Sequence, residues 1–399
     1  MHDKNLKLWT YSLPVALALL APFNLLASLG MDIYLPAVPA MPGILATTPA
    51  VVQLTLTLYM IMLGVGQILF GPLSDRVGRR PVLLGGAVLF AMASFGLAAT
   101  SSAYLFLVLR LIQAIAASAM LVAVFATIRD VYAEKAESAT IYGLMNAMLA
   151  FVPALGPIAG ALILNAFGWR AIFVALGLPA IATLAVALPK WTETRPVQRG
   201  SRESGFGQVI RSRPFWTYTF AFGTAMGAFF VFFSTAPRVL IEGAGLTELA
   251  FSLAFATVAL VMIATARFAR RFVQRWGIRG SAARGAILLL LGAGLLMPGQ
   301  LYLPPSFTAF ILPMWLIAVG IVLMTSVTAN GALQEFDAFA GTAVALHFCF
   351  QSIIVGVIGT AFVVFLNGET AWPLISYAAA MATITLAALL RIGEPHPKA

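Results

Sequence analysis

The sequence predicts an all-α membrane protein of twelve transmembrane helices in two six-helix halves. Composition, recurring apolar windows and the sorting of positive charge predict it. Of 399 residues, 61% are hydrophobic and 10% charged, against roughly 25% charged usage in a soluble globular domain. The mean hydropathy is +0.96. Apolar runs recur from end to end, which leaves no stretch long enough for a soluble domain.

A helix needs roughly 20 apolar residues to cross a bilayer. Windows of that kind fall at 11–35, 50–71, 82–99, 103–126, 139–164, 170–189, 214–237, 249–268, 285–303, 307–328, 341–366 and 371–390. The first run leads into further spans and not into a secreted domain, so it reads as span one and not as a removable export signal. With both termini on the cytoplasmic side, 21 of the 24 Lys and Arg residues fall inside, only Arg170 and Arg238 fall outside, and Arg110 lies within a span. The positive-inside rule then fixes the orientation. The net charge of +10 is therefore read as a topology signal and not as a nucleic-acid footprint.

Residues 190–213, "KWTETRPVQRGSRESGFGQVIRSR", are polar and basic. They divide an N-terminal half, 1–189, from a C-terminal half, 214–399. A weak repeat supports the division. "DRVGRR" at 75–80 lies between spans two and three, "QRWGIR" at 274–279 lies between spans eight and nine, and Arg76 and Arg275 stand 199 residues apart. Paired six-helix repeats place a substrate site near the bilayer midplane.

Cys349 is the sole cysteine and His2, His347 and His396 are scattered, so neither an internal disulfide nor a His/Cys metal cluster is expected. No cofactor is called for. No nucleophile and base stand together, which argues against an enzyme.

Four stretches carry chemistry. In "SLGMDIYLP", 28–36, Asp32 is the one acid in the bilayer. It is either a helix-end cap, since Pro36 and Pro39 follow, or a carboxyl that takes up and releases a proton. In "GPLSDRVGRRP", 71–81, Gly71 and Gly78 allow tight turns, Asp75 can pair with a helix end or with arginines of neighbouring spans, and Arg76, Arg79 and Arg80 anchor the loop to the cytoplasmic face. In "YLFLVLRLIQAIAAS", 104–118, Arg110 sits at membrane depth, where an arginine costs a few kcal/mol and faces a partner or a wet cavity. Asp32 is the expected partner. Gln113 shares its helix face. In "GLMNAMLAFVPALGPIAGAL", 143–162, Gly156 and Gly160 stand one turn apart and admit a close neighbour, while Pro153 and Pro157 bend the axis.

Weaker candidates for a drug-binding wall are Tyr59, Asn146, Phe151, Phe229 and Phe233, beside the plainer reading that aromatics simply pack. His347 and Gln351, one turn apart, form a polar wall or an interhelical hydrogen bond.

The 71–81 stretch resembles the cytoplasmic signature between helices two and three of the major facilitator superfamily, which implies that fold and a conformational latch. The Arg110 stretch resembles the fourth-helix motif of proton-coupled members, and "GPxxG" resembles the fifth-helix motif of antiporters. Together with "ASLGMDIYLPAVPAMP", "FFVFFSTAPRVL", "FSLAFATVALVMIATARFA" and "SVTANGAL", these stretches resemble the Bcr/CflA drug/proton antiporters, and within them the phenicol exporters, over essentially the whole chain. The resemblance implies a monomeric multi-pass protein of the bacterial inner membrane that exchanges a small amphipathic drug for protons, in contact with lipid and with no nucleic acid. A broader multidrug antiporter and a proton-coupled metabolite importer are the alternatives. Asn24 stands where phenicol exporters usually carry an aspartate. It cannot titrate but can hydrogen-bond a neutral drug, which leaves Asp32 to carry the proton alone.

Overall fold

The computed structural model describes residues 9, 11–132, 135, 137–195, 205–336 and 340–392. Lys4, Lys7, Arg199, Arg202 and Lys398 of the positive-charge count, and the linker stretch 196–204, lie outside the described residues. The chain divides into two compact units, Met1–Ser201 and Arg202–Ala399.

The first unit holds α1 (Leu13–Asp32), α2 (Pro49–Val77), α3 (Arg79–Ala99), α4 (Ala103–Tyr132), α5 (Ser138–Phe167) and α6 (Trp169–Lys190). The second holds α7 (Arg213–Pro237), α8 (248–276), α9 (278–302), α10 (Leu312–Leu333), α11 (340–365) and α12 (Trp372–Arg391). Among the described residues, eleven helical runs are long and apolar enough to cross a membrane, and one of them, Glu248–Tyr302, has 55 residues. At 1.5 Å per residue that run would extend about 80 Å, against a hydrocarbon core of about 30 Å. It is two spans, broken at Gly277, where φ is 67° and ψ is −177°. Gly78, between α2 and α3, breaks the chain the same way, with φ 117° and ψ 158°. This region of backbone space is open essentially to glycine alone. Gly78 and Gly277 keep the 199-residue offset of the "DRVGRR" and "QRWGIR" repeat.

Helix starts follow local chemistry. Thr48 accepts a hydrogen bond from the Val51 N–H, Ser212 from Phe215, and Thr247 from Ala250, and Pro49 follows the first of these caps. After α1, Pro36, Pro39 and Pro42 withdraw backbone donors, and the chain tightens into the 3₁₀ turn Leu35–Ala40 and a short helical turn, Met41–Ile44. Wider π turns occur at Arg238–Gly243, Phe307–Ile311 and Ile354–Ile358.

In the first unit α1 packs on α4, α5 and α6, while α4 also packs on α2 and α3. Small residues bring the axes together: a Cβ on Gly86 of α3 would lie 3.1 Å from the Ala116 carbonyl oxygen of α4. The second unit repeats the device at Gly285, 199 residues on, where a Cβ would lie 2.6 Å from the Gly320 carbonyl oxygen of α10. Leu69, Met92, Leu291 and Leu295 are more than half exposed, as lipid-facing positions are.

Candidate functional site

Asp32 is the last residue of α1 and is buried, at 9% exposure. Its backbone and Cβ lie against α5. A Cβ on Gly156 would fall 2.8 Å from Asp32 Cβ, and one on Gly160 would strike the Ile33 carbonyl oxygen. The glycines of the "GPxxG" stretch are thus the surface on which the end of α1 rests, and any larger side chain there moves the acid. Pro153 is half-buried and Pro157 buried on the same helix.

Arg110 is fully buried on α4. Among the described residues no ion pair joins it to Asp32, which differs from the expected pairing. The reason is helical geometry. Residues 30 and 32 point about 200° apart on an α-helix, and Arg110 approaches α1 from the side of residue 30. Its Nη1 donates to the Gly30 carbonyl at 2.7 Å and to Gln113 Oε1 at 2.7 Å. The Gly30 carbonyl belongs to the last turn of α1, where backbone acceptors lack helical partners and a cation is favoured. The guanidinium carbon lies 5.0 Å from the Tyr34 ring centre and 4.7 Å from that of Tyr59. Two aromatic faces thus shelter a charge that would be costly alone in the bilayer. Its Nε and Nη2 have no hydrogen-bond partner among the described residues.

The surrounding polar groups are fixed in turn. Gln113 Nε2 donates to Ser94 Oγ at 2.9 Å. Tyr59 is fully buried, and its hydroxyl donates to the Ala27 carbonyl at 2.7 Å. Asn24, also fully buried, donates from Nδ2 to the Met145 carbonyl of α5 at 3.4 Å, while its Oδ1 has no partner among the described residues. Tyr59, Arg110 and Gln113 thus gather on one side of the end of α1, against α2, α3 and α4, while Asn24 and Asp32 lie against α5. Asn146 and Phe151 join neither group: both are exposed on α5.

In the second unit Phe233 is buried and Phe229 half-buried, and both pack on Phe255 of α8, with ring centres 6.0 and 6.2 Å away. They pack chiefly on other phenylalanines. Gln351 Nε2 donates to the neighbouring Ser352 Oγ at 2.7 Å. His347 Nδ1 lies 2.9 Å from Thr219 Oγ1 of α7, which is the interhelical hydrogen bond among the two expected readings.

The 71–81 stretch is an ionic clamp. Arg79, only 2% exposed, pairs with Asp75 at 2.5 Å and with Asp130 of α4 at 2.8 Å, and donates to Ser74 Oγ at 2.7 Å. Asp75, in the last turn of α2, thus meets Arg79, the first residue of the neighbouring helix α3, and Arg79 turns inward while Arg76 stays exposed. Glu193, from the start of the linker, accepts from the backbone N–H groups of Arg79 at 2.8 Å and Arg80 at 3.1 Å. It also accepts from Thr194 at 3.1 Å and Arg195 at 3.0 Å. A carboxylate here satisfies the orphan donors at the start of α3. Gly78 admits it, since a Cβ would collide with the Glu193 carboxylate. Arg80 donates to the Leu188 carbonyl at 2.8 Å, and Arg195 to the carbonyl of Arg76. Gly71 is half-buried with open space at its Cβ position.

Tyr34, Asp130 and Glu193 were not singled out from the sequence. Each carried a faint signal. Tyr34 stands two residues after Asp32, and Asp130 and Glu193 are acids set among the cations of the segments between spans.

The family model described as Major Facilitator Superfamily matches residues 20–360. The chain is 50% identical over 388 residues, 97% of its length and 92% of the relative's, to a Pseudomonas aeruginosa protein named Chloramphenicol resistance protein. It is 27% identical over 323 residues to the Multidrug resistance protein MdtL of Escherichia coli, covering 80% of this chain and 81% of that one. Among solved structures, a POT family transporter in complex with 5-aminolevulinic acid matches with a TM-score of 0.74 at 14% identity, over 94% of each chain. That likeness is one of fold.

Proposed function

We propose, because this chain belongs to the Major Facilitator Superfamily, that it exports phenicol antibiotics such as chloramphenicol and florfenicol across the bacterial inner membrane by alternating access, in exchange for protons. The observation that carries the substrate is the 50% identity, over 97% of the chain, to the Pseudomonas aeruginosa Chloramphenicol resistance protein. The proton route rests on chemistry. Among the described residues Asp32 is the one acid within the apolar windows of the first unit, and Arg110, which meets the α1 backbone two residues away at Gly30, supplies fixed positive charge. In this reading Asp32 takes a proton from the periplasmic side, drug and proton compete, and the proton is released inside. Both termini are cytoplasmic, by the distribution of Lys and Arg. Exchange of a neutral drug for one entering proton moves net positive charge inward, so the membrane potential adds about 2.3 kcal/mol per 100 mV.

The test is a susceptibility panel in an efflux-deficient bacterial host, covering chloramphenicol, florfenicol and cationic dyes. Resistance confined to the two phenicols is expected. The 27% identity to the Multidrug resistance protein MdtL favours a second reading, a broader drug/proton antiporter, and dye resistance would select it. Asp32→Asn at matched expression is expected to abolish resistance. Normal resistance from that variant would remove Asp32 from the proton route.

A further inference from the structure

The contacts around Arg110 point to a role for two tyrosines. Tyr34 lies just beyond the end of α1 and Tyr59 on α2, and the guanidinium of α4 is held between their rings at 5.0 and 4.7 Å. Each tyrosine is also tied down. Tyr59 donates to the Ala27 carbonyl of α1 at 2.7 Å. The Tyr34 ring is backed by Phe106 and Phe173, with centres 5.9 and 5.6 Å away, and all three rings are fully buried. The last turn of α1 is therefore stitched at three points: Ala27 to Tyr59, Gly30 to Arg110, and Tyr34 to Arg110. Asp32 sits inside that turn and faces the opposite way, against Gly156.

We propose that Tyr34 and Tyr59 are positioning residues for proton coupling: by clamping Arg110 between their rings, they hold its guanidinium on the Gly30 carbonyl, fix the end of α1, and keep Asp32 turned toward α5 and out of an ion pair with Arg110. An ion pair would bind the carboxylate to a permanent cation, whereas this arrangement leaves it free to exchange a proton. Arg110 acts on Asp32 through the helix that carries it and not by touching it. The inference rests on the reading of Asp32 as proton carrier.

The test uses the full-length protein in liposomes with radiolabelled chloramphenicol as probe. Two rates are measured: accumulation driven by an imposed pH gradient, and gradient-free exchange of labelled for unlabelled drug. A desolvated cation–π contact is strong enough that Tyr34→Leu should lower gradient-driven accumulation about tenfold while exchange stays within about twofold. Tyr34→Phe keeps the aromatic face and should restore coupling. Tyr59→Leu should also lower gradient-driven accumulation, from the other side, and a loss there that Tyr59→Phe restores decides the matter if Tyr34→Leu fails to insert. Phe173→Leu disturbs the same aromatic cluster from α6, behind Tyr34, so it should leave the ratio of the two rates at the wild-type value. Wild-type accumulation in Tyr34→Leu and Tyr59→Leu would overturn the clamp. So would a fall in both rates that Phe173→Leu reproduces, since that is packing alone. Asp32→Asn, run in parallel, tests the underlying reading separately: full gradient-driven accumulation there rejects Asp32 as carrier whatever the tyrosine variants do.

Discussion

At Gly78 and at Gly277 the chain makes the same break between two spans, yet the neighbours differ. The first junction is buried and ionic. Arg79 is enclosed by Asp75, Asp130 and Ser74, and Glu193 covers the start of α3. At the second, the positions offset by 199 residues from Asp75, Arg79 and Asp130 are Gln274, Ile278 and Ala329, so the charges are gone. In their place Trp276 stacks on Phe272 with ring centres 5.0 Å apart, and Arg284 lies 4.8 Å from the Trp276 ring centre. The backbone turn is thus a requirement of the fold, shared by both halves. The clamp is an addition to one of them, which fits a latch in a way that a topology signal does not need.

The comparison can be broken most forcefully at Arg79. Arg79→Met leaves Asp130, 1% exposed, with only the longer contact to Arg129 at 3.7 Å, expected to cost about 3 kcal/mol, whereas Ile278→Ala should cost about 1–2 kcal/mol as a half-buried truncation. Thermal unfolding of the detergent-solubilised variants, followed by size-exclusion chromatography, checks both, and equal losses would mean that the clamp adds nothing. Next in size is the glycine pair. Both Gly78→Ala and Gly277→Ala force a side chain into strained backbone, at about 1–3 kcal/mol. Only Gly78→Ala also meets the Glu193 carboxylate, while nothing lies within 4 Å at Gly277, so Gly78→Ala should be the more damaging of the two in the same assay.

Glu193→Ala isolates the cap. Losing a carboxylate from a helix start costs about 1–2 kcal/mol, and Glu193→Gln should recover part of it by keeping one acceptor oxygen. The smallest effect belongs to Asp75→Asn. Its side chain is 59% exposed, and an exposed pair contributes about 0.2–1 kcal/mol. A fall in transport far beyond that stability change would sharpen the comparison, since it would separate latching from holding the fold together.

The spans were legible because lipid as solvent leaves few choices: apolar windows of sufficient length, separated by cations, admit one reading. The end of α8 was less so. The apolar window stops at 268, but the helix runs to 276, because Arg270, Arg271 and Arg275 extend their charged ends outward while their stems remain on the helix. Asp32, Arg110, Gly156 and Gly160 were legible as a set, since each is anomalous or restrictive in an apolar helix. Their arrangement was not. Whether Arg110 meets Asp32 or Gly30 depends on which side of α1 faces α4, a property of packing among helices distant in sequence. Glu193 and Asp130 look like solvated charge between spans until the fold brings them to Arg79.

The close seat of α1 on α5 also sets where this protein can evolve. Gly156 and Gly160 face Asp32 and Ile33 with no room for a methyl group, while Asn146 and Phe151 on the same helix are exposed within their unit. Under selection for a new drug, the first pair is closed ground and the second is open. A saturation library of α5 grown on chloramphenicol should return glycine alone at 156 and 160 and many residues at 146 and 151. Drift in the spectrum of resistance would then enter through the exposed positions of a helix whose other side is held still by the acid that rests on it.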